Sequence, residues 1–154
     1  MNRQSLCDDL LAEIGAWCDQ FQSTCDLVMA GDFNVDLDSN DHVSVIIKNF
    51  LAKYSLVRCD DMFPGAKAPT YVNEALNRCS TIDYIVTSSP QLVLDYHVTD
   101  PDSNFSDHLP VLGSFCCNPV SSHISGQKFN VYSGQNEMNI LSFRWDKGDI
   151  LSIS

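Results

Sequence analysis

The chain is short of positive charge. It has 9 Lys and Arg against 20 Asp and Glu, a net charge of −11 over 154 residues. That argues against strong unaided binding to nucleic acid, which needs cations against phosphates. Five of the basic residues fall between Lys48 and Arg78. They form either a solvated face or a local phosphate-facing strip. No apolar run approaches the roughly 20 residues of a membrane span, so no membrane partner is expected. Met1 to Ser5 lead into an amphipathic acidic stretch, which does not read as a secretory signal. The 7 cysteines are odd in number and include no CxxC pair. A disulfide framework is therefore not expected. Small buried apolar residues or free thiols fit better, in an intracellular, cytoplasmic or nuclear, compartment. No internal repeat and no low-complexity tract is visible.

What is present is enough for one domain with a core, with 44% hydrophobic residues. Leu6, Leu10, Leu11, Ile14, Trp17 and Phe21 recur at helical spacing and predict a helix over 5–22. Asp26 to Ala30 reads as a buried strand ending at Gly31, with a polar loop from there through Asn40. Val43, Ile46, Ile47, Phe50 and Leu51 predict a second helix over 41–53. A short strand is expected over 55–59, a turn-rich loop over 63–69, and strands near 70–73, 81–87, 92–99 and 109–116. Helices mixed with strands indicate an α/β or α+β fold. From Asn118 onward no period is sustained, so 118–154 reads as an irregular tail after a domain over 1–117.

Three blocks carry chemistry. In Gly31-Asp32-Phe33-Asn34 an apolar strand stops at a glycine. Alternation along extended chain would turn Asp32 and Asn34 to the same side. An ordinary Asx-rich turn is the plainer alternative. In Ser80-Thr81-Ile82-Asp83-Tyr84-Ile85, Asp83 shares a strand face with Thr81 and Ile85. If buried it needs a partner; on an edge strand it would simply face water. In Ser106-Asp107-His108-Leu109-Pro110-Val111, a loop enters a strand that tolerates proline at its start. His108 is a fitting partner for Asp83, although a capped loop with a surface histidine is the simpler reading of that block alone.

Two rival chemistries are weaker. Asp32, Asn34, Asp36 and Asp38 begin like a calcium loop, but Leu37 and Val43 stand where such a loop needs glycine and glutamate. A Ser-His-Asp hydrolase using Ser106 or Ser80 lacks a G-x-S-x-G elbow, and Ser106 is too close in sequence to His108 for attack geometry.

In this order, with Thr70-Tyr71 between the first and second, the blocks resemble the C-terminal motif set of the endonuclease/exonuclease/phosphatase superfamily, over about residues 5–117. Within it they are most similar to the endonucleases of non-LTR retrotransposons, and Phe143 to Lys147 weakly resembles the sequence C-terminal to the endonuclease in retrotransposon polyproteins. The resemblance implies the C-terminal half of a two-sheet β-sandwich flanked by helices, a deoxyribonuclease-like four-layer α/β fold, incomplete here. It implies that Asp32 orients or deprotonates the attacking water. Asn34 would bond the phosphate, and Asp107 would help hold Mg2+ or Mn2+. His108 would contact the scissile phosphate, Asp83 would fix its tautomer, and Thr70 would support the site and the substrate. An oxygen-rich ligand set favours magnesium over zinc.

The superfamily pattern also carries an asparagine strand and a metal-binding glutamate before the GDFN block. Here the only glutamate before Asp32 is Glu13, in the predicted helix. The chain is therefore expected to be a fragment of a metal-dependent phosphodiester hydrolase of endonuclease type, acting on DNA, with impaired activity. The alternatives are a non-catalytic remnant or interaction module, and a phosphatase- or sphingomyelinase-type phosphodiesterase. A chain supplying mainly one sheet would expose a sheet face and is expected to self-associate through it.

Overall fold

The computed structural model describes residues 3–63, 65, 67–100, 104, 106–117, 132–133 and 139–142. Helical periodicity at the N-terminal side folds as α1, Arg3–Phe21. Its core face is Cys7, Leu11, Ile14 and Cys18. Leu10 and Trp17, expected on that face, are 55% and 56% exposed. Each precedes a core position by one residue, and one residue turns a helix by about 100°, enough to swing both off a narrow contact stripe. Gly15 allows the close approach, since a Cβ there would stand 2.9 Å from Tyr54 Oη.

The second helix, α2, is His42–Lys53. Asp41 caps it by accepting from the Ser44 amide at 2.9 Å, which satisfies one of the amides a helix start leaves unpaired. Ser44, Ile47 and Leu51 form its buried stripe.

The strands are β1 (Val28–Asp32), β2 (Val57–Arg58), β3 (Tyr71–Asn73), β4 (Arg78–Ser80), β5 (Asp83–Thr87), β6 (Val93–Val98), β7 (Val111–Cys117), β8 (Tyr132–Ser133) and β9 (Asn139–Ser142). They make a three-stranded sheet in the order β1-β5-β2, a two-stranded β3-β4 sheet, and a four-stranded sheet in the order β6-β7-β9-β8. All the pairings are antiparallel. This is a mixed α/β fold of several antiparallel sheets with few helices, in keeping with an incomplete sandwich.

β5 is the wall between two cores. Tyr84 and Val86 pack with Ile47, Leu51 and Cys18 of the helices. Ile85 points the other way and packs with Tyr96, Val111 and Phe115 of the second sheet. An all-buried central strand reads as a continuous apolar run for this reason. Both faces of β5 are thus packed within the chain, by the helices on one side and by β6 and β7 on the other. Gly113 lets the sheets approach, since a Cβ there would stand 3.0 Å from Ile85 Cδ1 and 3.2 Å from the Phe115 ring.

β1 runs two residues further than expected and takes in Gly31 and Asp32. Within 118–154, β8 and β9 are described, and β9 extends the sheet by pairing with β7. The rest of that segment, including Phe143 to Lys147, lies outside the described residues.

Candidate active site

Alternation decides which side chains meet. Val28 and Ala30 of β1, and Ile85 of β5, face the second sheet. Asp32 and Asp83 continue those two faces. The register pairs Asp32 directly with Asp83. Two carboxylates thus stand side by side at one end of the space between the sheets.

His108 reaches them from the loop before β7. A bridge to Tyr71 fastens its backbone. On either side, the Leu109 amide donates to Thr70 O at 2.6 Å and the Val72 amide to Asp107 O at 2.8 Å. The ring is fixed as well. His108 Nδ1 lies 3.0 and 3.2 Å from the two Asp83 oxygens, and the Tyr71 ring meets it edge-on at 5.2 Å, inclined at 66°. Asp83 is thus a buried carboxylate on a central strand, with a histidine partner. Its neighbour Thr70 is fully buried, and its Oγ1 accepts from the Ile82 and Asp83 amides at 3.0 Å each.

Burial pushes the Asp83 carboxyl above the usual range, aided by the charge of Asp32 and opposed by hydrogen bonds from Thr70 and His108. Burial alone would lower the His108 value. The Asp83 hydrogen bond and the charges of Asp83, Asp32 and Asp107 outweigh it and hold the imidazole above the ordinary histidine range. Both shifts favour the protonated form of each group.

Asn34 meets Asp32 for a reason other than strand alternation. The strand ends at Asp32, and Asn34 adopts a left-handed backbone, φ 52°. Asn accepts that conformation more readily than most residues. The turn lets its backbone amide donate to Asp32 Oδ1 at 2.7 Å and its side-chain Nδ2 to Oδ2 at 3.0 Å.

Among the described residues, Asp32, Asp83 and His108 each offer a ligand atom, all within 4.8 Å of one another. Two like-charged carboxylates directly opposite in a sheet repel, so a cation between them relieves a real cost. Hard carboxylate oxygens suit magnesium or manganese. The donor set therefore fits a divalent cation at Asp32, with Asp83 shared between cation and histidine. Asp107 is exposed and outside this group. Glu13 and Glu74, the described glutamates, are exposed on α1 and on the 3-10 turn Glu74–Leu76, so neither enters the site.

The basic residues from Lys48 to Lys67 are committed elsewhere. Lys48 donates to Ser39 O, and Lys53 donates to Tyr54 Oη. Arg58 pairs with Asp38, Asp60 and Asp61, and Lys67 with Asp38 and Asp61. Arg78 is exposed on β4. The Asp38 carboxylate is thus turned to Arg58 and Lys67, away from any calcium-loop arrangement.

Sequence reasoning missed Asn104. Its Oδ1 accepts from the Ser106 amide at 3.1 Å and its Nδ2 donates to His108 O at 3.0 Å. Ser106 Oγ in turn accepts from the His108 amide at 3.1 Å. Asn two residues before a serine is ordinary Asx-turn chemistry, and that was the available signal.

A search of curated proteins returns no match. The family model described as the Endonuclease/Exonuclease/phosphatase family matches residues 10–108. That span contains Asp32, Asn34, Thr70, Asp83, Asp107 and His108 and ends on the histidine that closes the site. The match covers well over half the sequence, and the chain belongs to the endonuclease/exonuclease/phosphatase family.

Proposed function

We propose that this chain is a magnesium- or manganese-dependent phosphodiester hydrolase of endonuclease type, with DNA as substrate, derived from a retrotransposon endonuclease domain. The observation that carries the reading is the convergence of Asp32, Asp83 and His108 within 4.8 Å, inside the span matched to the family.

Each residue has a chemical task. Asp32, the more open carboxylate, helps hold the cation and orients the attacking water. Asn34 is tied to Asp32 and presents its amide beside the phosphate. His108 spends Nδ1 on Asp83, which leaves Nε2 for the substrate. Its raised pKa shifts the balance toward the imidazolium, which would place positive charge where the phosphate gains negative charge. Asp83 orients the ring, the orienter logic of hydrolytic triads. Thr70 stiffens the Asp83 backbone. Asp107 lies beside the histidine and contributes negative charge. A bound divalent cation supplies Lewis-acid polarisation of the phosphate and lowers the pKa of a coordinated water.

Charge supports the cation requirement. A phosphate approaching Asp32, Asp83 and Asp107 in a chain of net charge −11 meets repulsion, and Arg58 and Lys67 are already paired with carboxylates. The site also contains no glutamate among the described residues, so slow turnover is expected. The free Cys18, Cys25, Cys59, Cys79 and Cys116 thiols fit a reducing cytoplasmic or nuclear setting. Among the described residues no helix is long and apolar enough to cross a membrane.

Nicking of supercoiled plasmid by the full chain tests the reading. Slow Mg2+- or Mn2+-dependent nicking, abolished by chelation and by Asp32→Ala, is the expected result. No cleavage with either metal, or cleavage indifferent to Asp32→Ala, would favour a non-catalytic interaction module. Faster cleavage of a sphingomyelin or small phosphate ester than of DNA would reassign the substrate.

A further inference from the structure

Asn34 holds a left-handed backbone, φ 52°, which asparagine adopts more readily than most residues with a Cβ and which only a fixed loop keeps in place. Something must hold the loop there. The loop from Phe33 to Ser39 is anchored beneath by β5. The Phe33 ring meets the Tyr84 ring edge-on at 5.4 Å. Val35 and Leu37 are 5% and 1% exposed, buried in the helix-side core. The Leu37 amide donates to Tyr84 Oη at 2.9 Å, and that hydroxyl donates to Thr81 O at 2.6 Å. Tyr84 therefore grips both ends of the turn carrying Asn34, and it directly follows Asp83 in the chain.

Tyr84 is itself held by Arg58. The guanidinium lies 4.8 Å from the Tyr84 ring centroid, a cation–π distance. Arg58 is 9% exposed. Its planar fork takes Asp60 through both Nε and Nη2, and Nη1 reaches Asp38 at 2.7 Å. Asp38 closes the loop, and its side chain is 57% exposed. Nothing in the core requires a charge at Asp38, and burying Arg58 is costly unless its charge is paired. The arrangement makes sense as a device that fixes the loop.

We infer that Arg58, through Asp38 on one side and the Tyr84 ring on the other, is a positioning residue that locks the Phe33–Ser39 loop and so holds Asn34 against Asp32. This rests on the proposed role of Asp32 and Asn34 in phosphodiester cleavage, and it places no part of Arg58 on the substrate. The lock depends on the fork. A lysine offers a point charge that cannot hold Asp60 and Asp38 in one plane.

Two readouts on the full chain test it. The first is amide hydrogen exchange, which needs no catalysis. In Asp38→Asn the Leu37 and Asn34 amides should exchange about tenfold faster or more, while amides of β5 and α2 and the melting midpoint stay near the parent. Asp38→Glu should restore protection at least in part, and Arg58→Lys should behave like Asp38→Asn. The second is plasmid nicking with Mg2+ or Mn2+. Asp38→Asn should lower kcat by about tenfold with KM little changed, the pattern of lost alignment in the transition state. Unchanged exchange at Leu37 and Asn34 in both Asp38→Asn and Arg58→Lys overturns the lock. So does faster exchange spread evenly over the whole chain, which would mean plain loss of stability. If the parent chain shows no nicking, the proposed function fails and the exchange result still decides the lock.

Discussion

Asp32 and Asp83 are cross-strand partners. They pair in the β1–β5 register, so their carboxylates project side by side from the same face. Like charges so placed cost roughly 0.2–1 kcal/mol, and among the described residues these two carboxylates belong, with His108, to a group that could hold a metal ion.

Relieving this repulsion should separate stability from activity. Asp32→Asn keeps the shape and an acceptor for the Asn34 amide and removes one charge. It is expected to stabilise the chain at neutral pH by roughly 0.5 kcal/mol while abolishing metal-dependent cleavage. Urea denaturation at pH 7 without divalent metal checks the first part. A lower midpoint would mean that the Asn34 contacts outweigh the repulsion.

The Asp83–His108 pair makes a pH prediction with a definite sign. The folded His108 pKa lies above the ordinary value of 6.5. Its contribution to folding is complete below the unfolded histidine pKa and is lost as pH rises through the higher folded value. The raised Asp83 value acts in the same direction, from 3.8 upward. In Asp83→Asn, an NMR titration should show the His108 midpoint move down. A midpoint equal to the parent's would break the pair.

Asn104 should act on the same histidine at one remove. Asn104→Ala removes two hydrogen bonds from the loop that carries it, at about 1 kcal/mol each. Asn104→Asp keeps the acceptor for the Ser106 amide but loses the donor to His108 O, so it should lie between parent and alanine. Thermal melts order the three. If alanine and aspartate are equally damaging, the Ser106 contact is irrelevant.

The turn at Asn34 separates backbone from amide. Asn34→Gly tolerates φ 52° without strain and should melt near the parent. Asn34→Ala should be less stable than Asn34→Gly by about 1 kcal/mol. Both should lose cleavage, since neither has the amide. Retained activity in Asn34→Gly would remove the side chain from the chemistry.

These contrasts also show how far the residues alone disclosed the fold. Both helices, β1, β5, β6 and β7 were visible because each carries an apolar pattern with its own period. So was the need of Asp83 for a partner, since an aspartate in an apolar run is costly unless bonded. β4 was not visible. Arg78, Cys79 and Ser80 are short, polar and mostly exposed, so pairing with β3 leaves no hydrophobic trace. Gly31 looked like a strand end because glycine punctuates chains, yet its pairing with Tyr84 carries the ladder through it. The pairing of Arg58 with Asp38 was not legible, because ion pairs link residues by space and leave no period in the sequence.

The β1–β5 ladder closes over α2, β2 and the β3–β4 hairpin, which all lie between the two strands in the chain. Pairing of such distant segments carries a loop-closure cost before it gains anything. On the ribosome, β1 therefore emerges with its hydrogen-bonding edge open and stays so until Asp83 to Thr87 have been made. The acidic pair is assembled at the same moment as the central strand and not before it. Refolding from urea should accordingly be slow for the chain's size, and metal affinity should appear in step with burial of Tyr84. Microsecond refolding, or metal binding that precedes the tyrosine signal, would contradict this order of events.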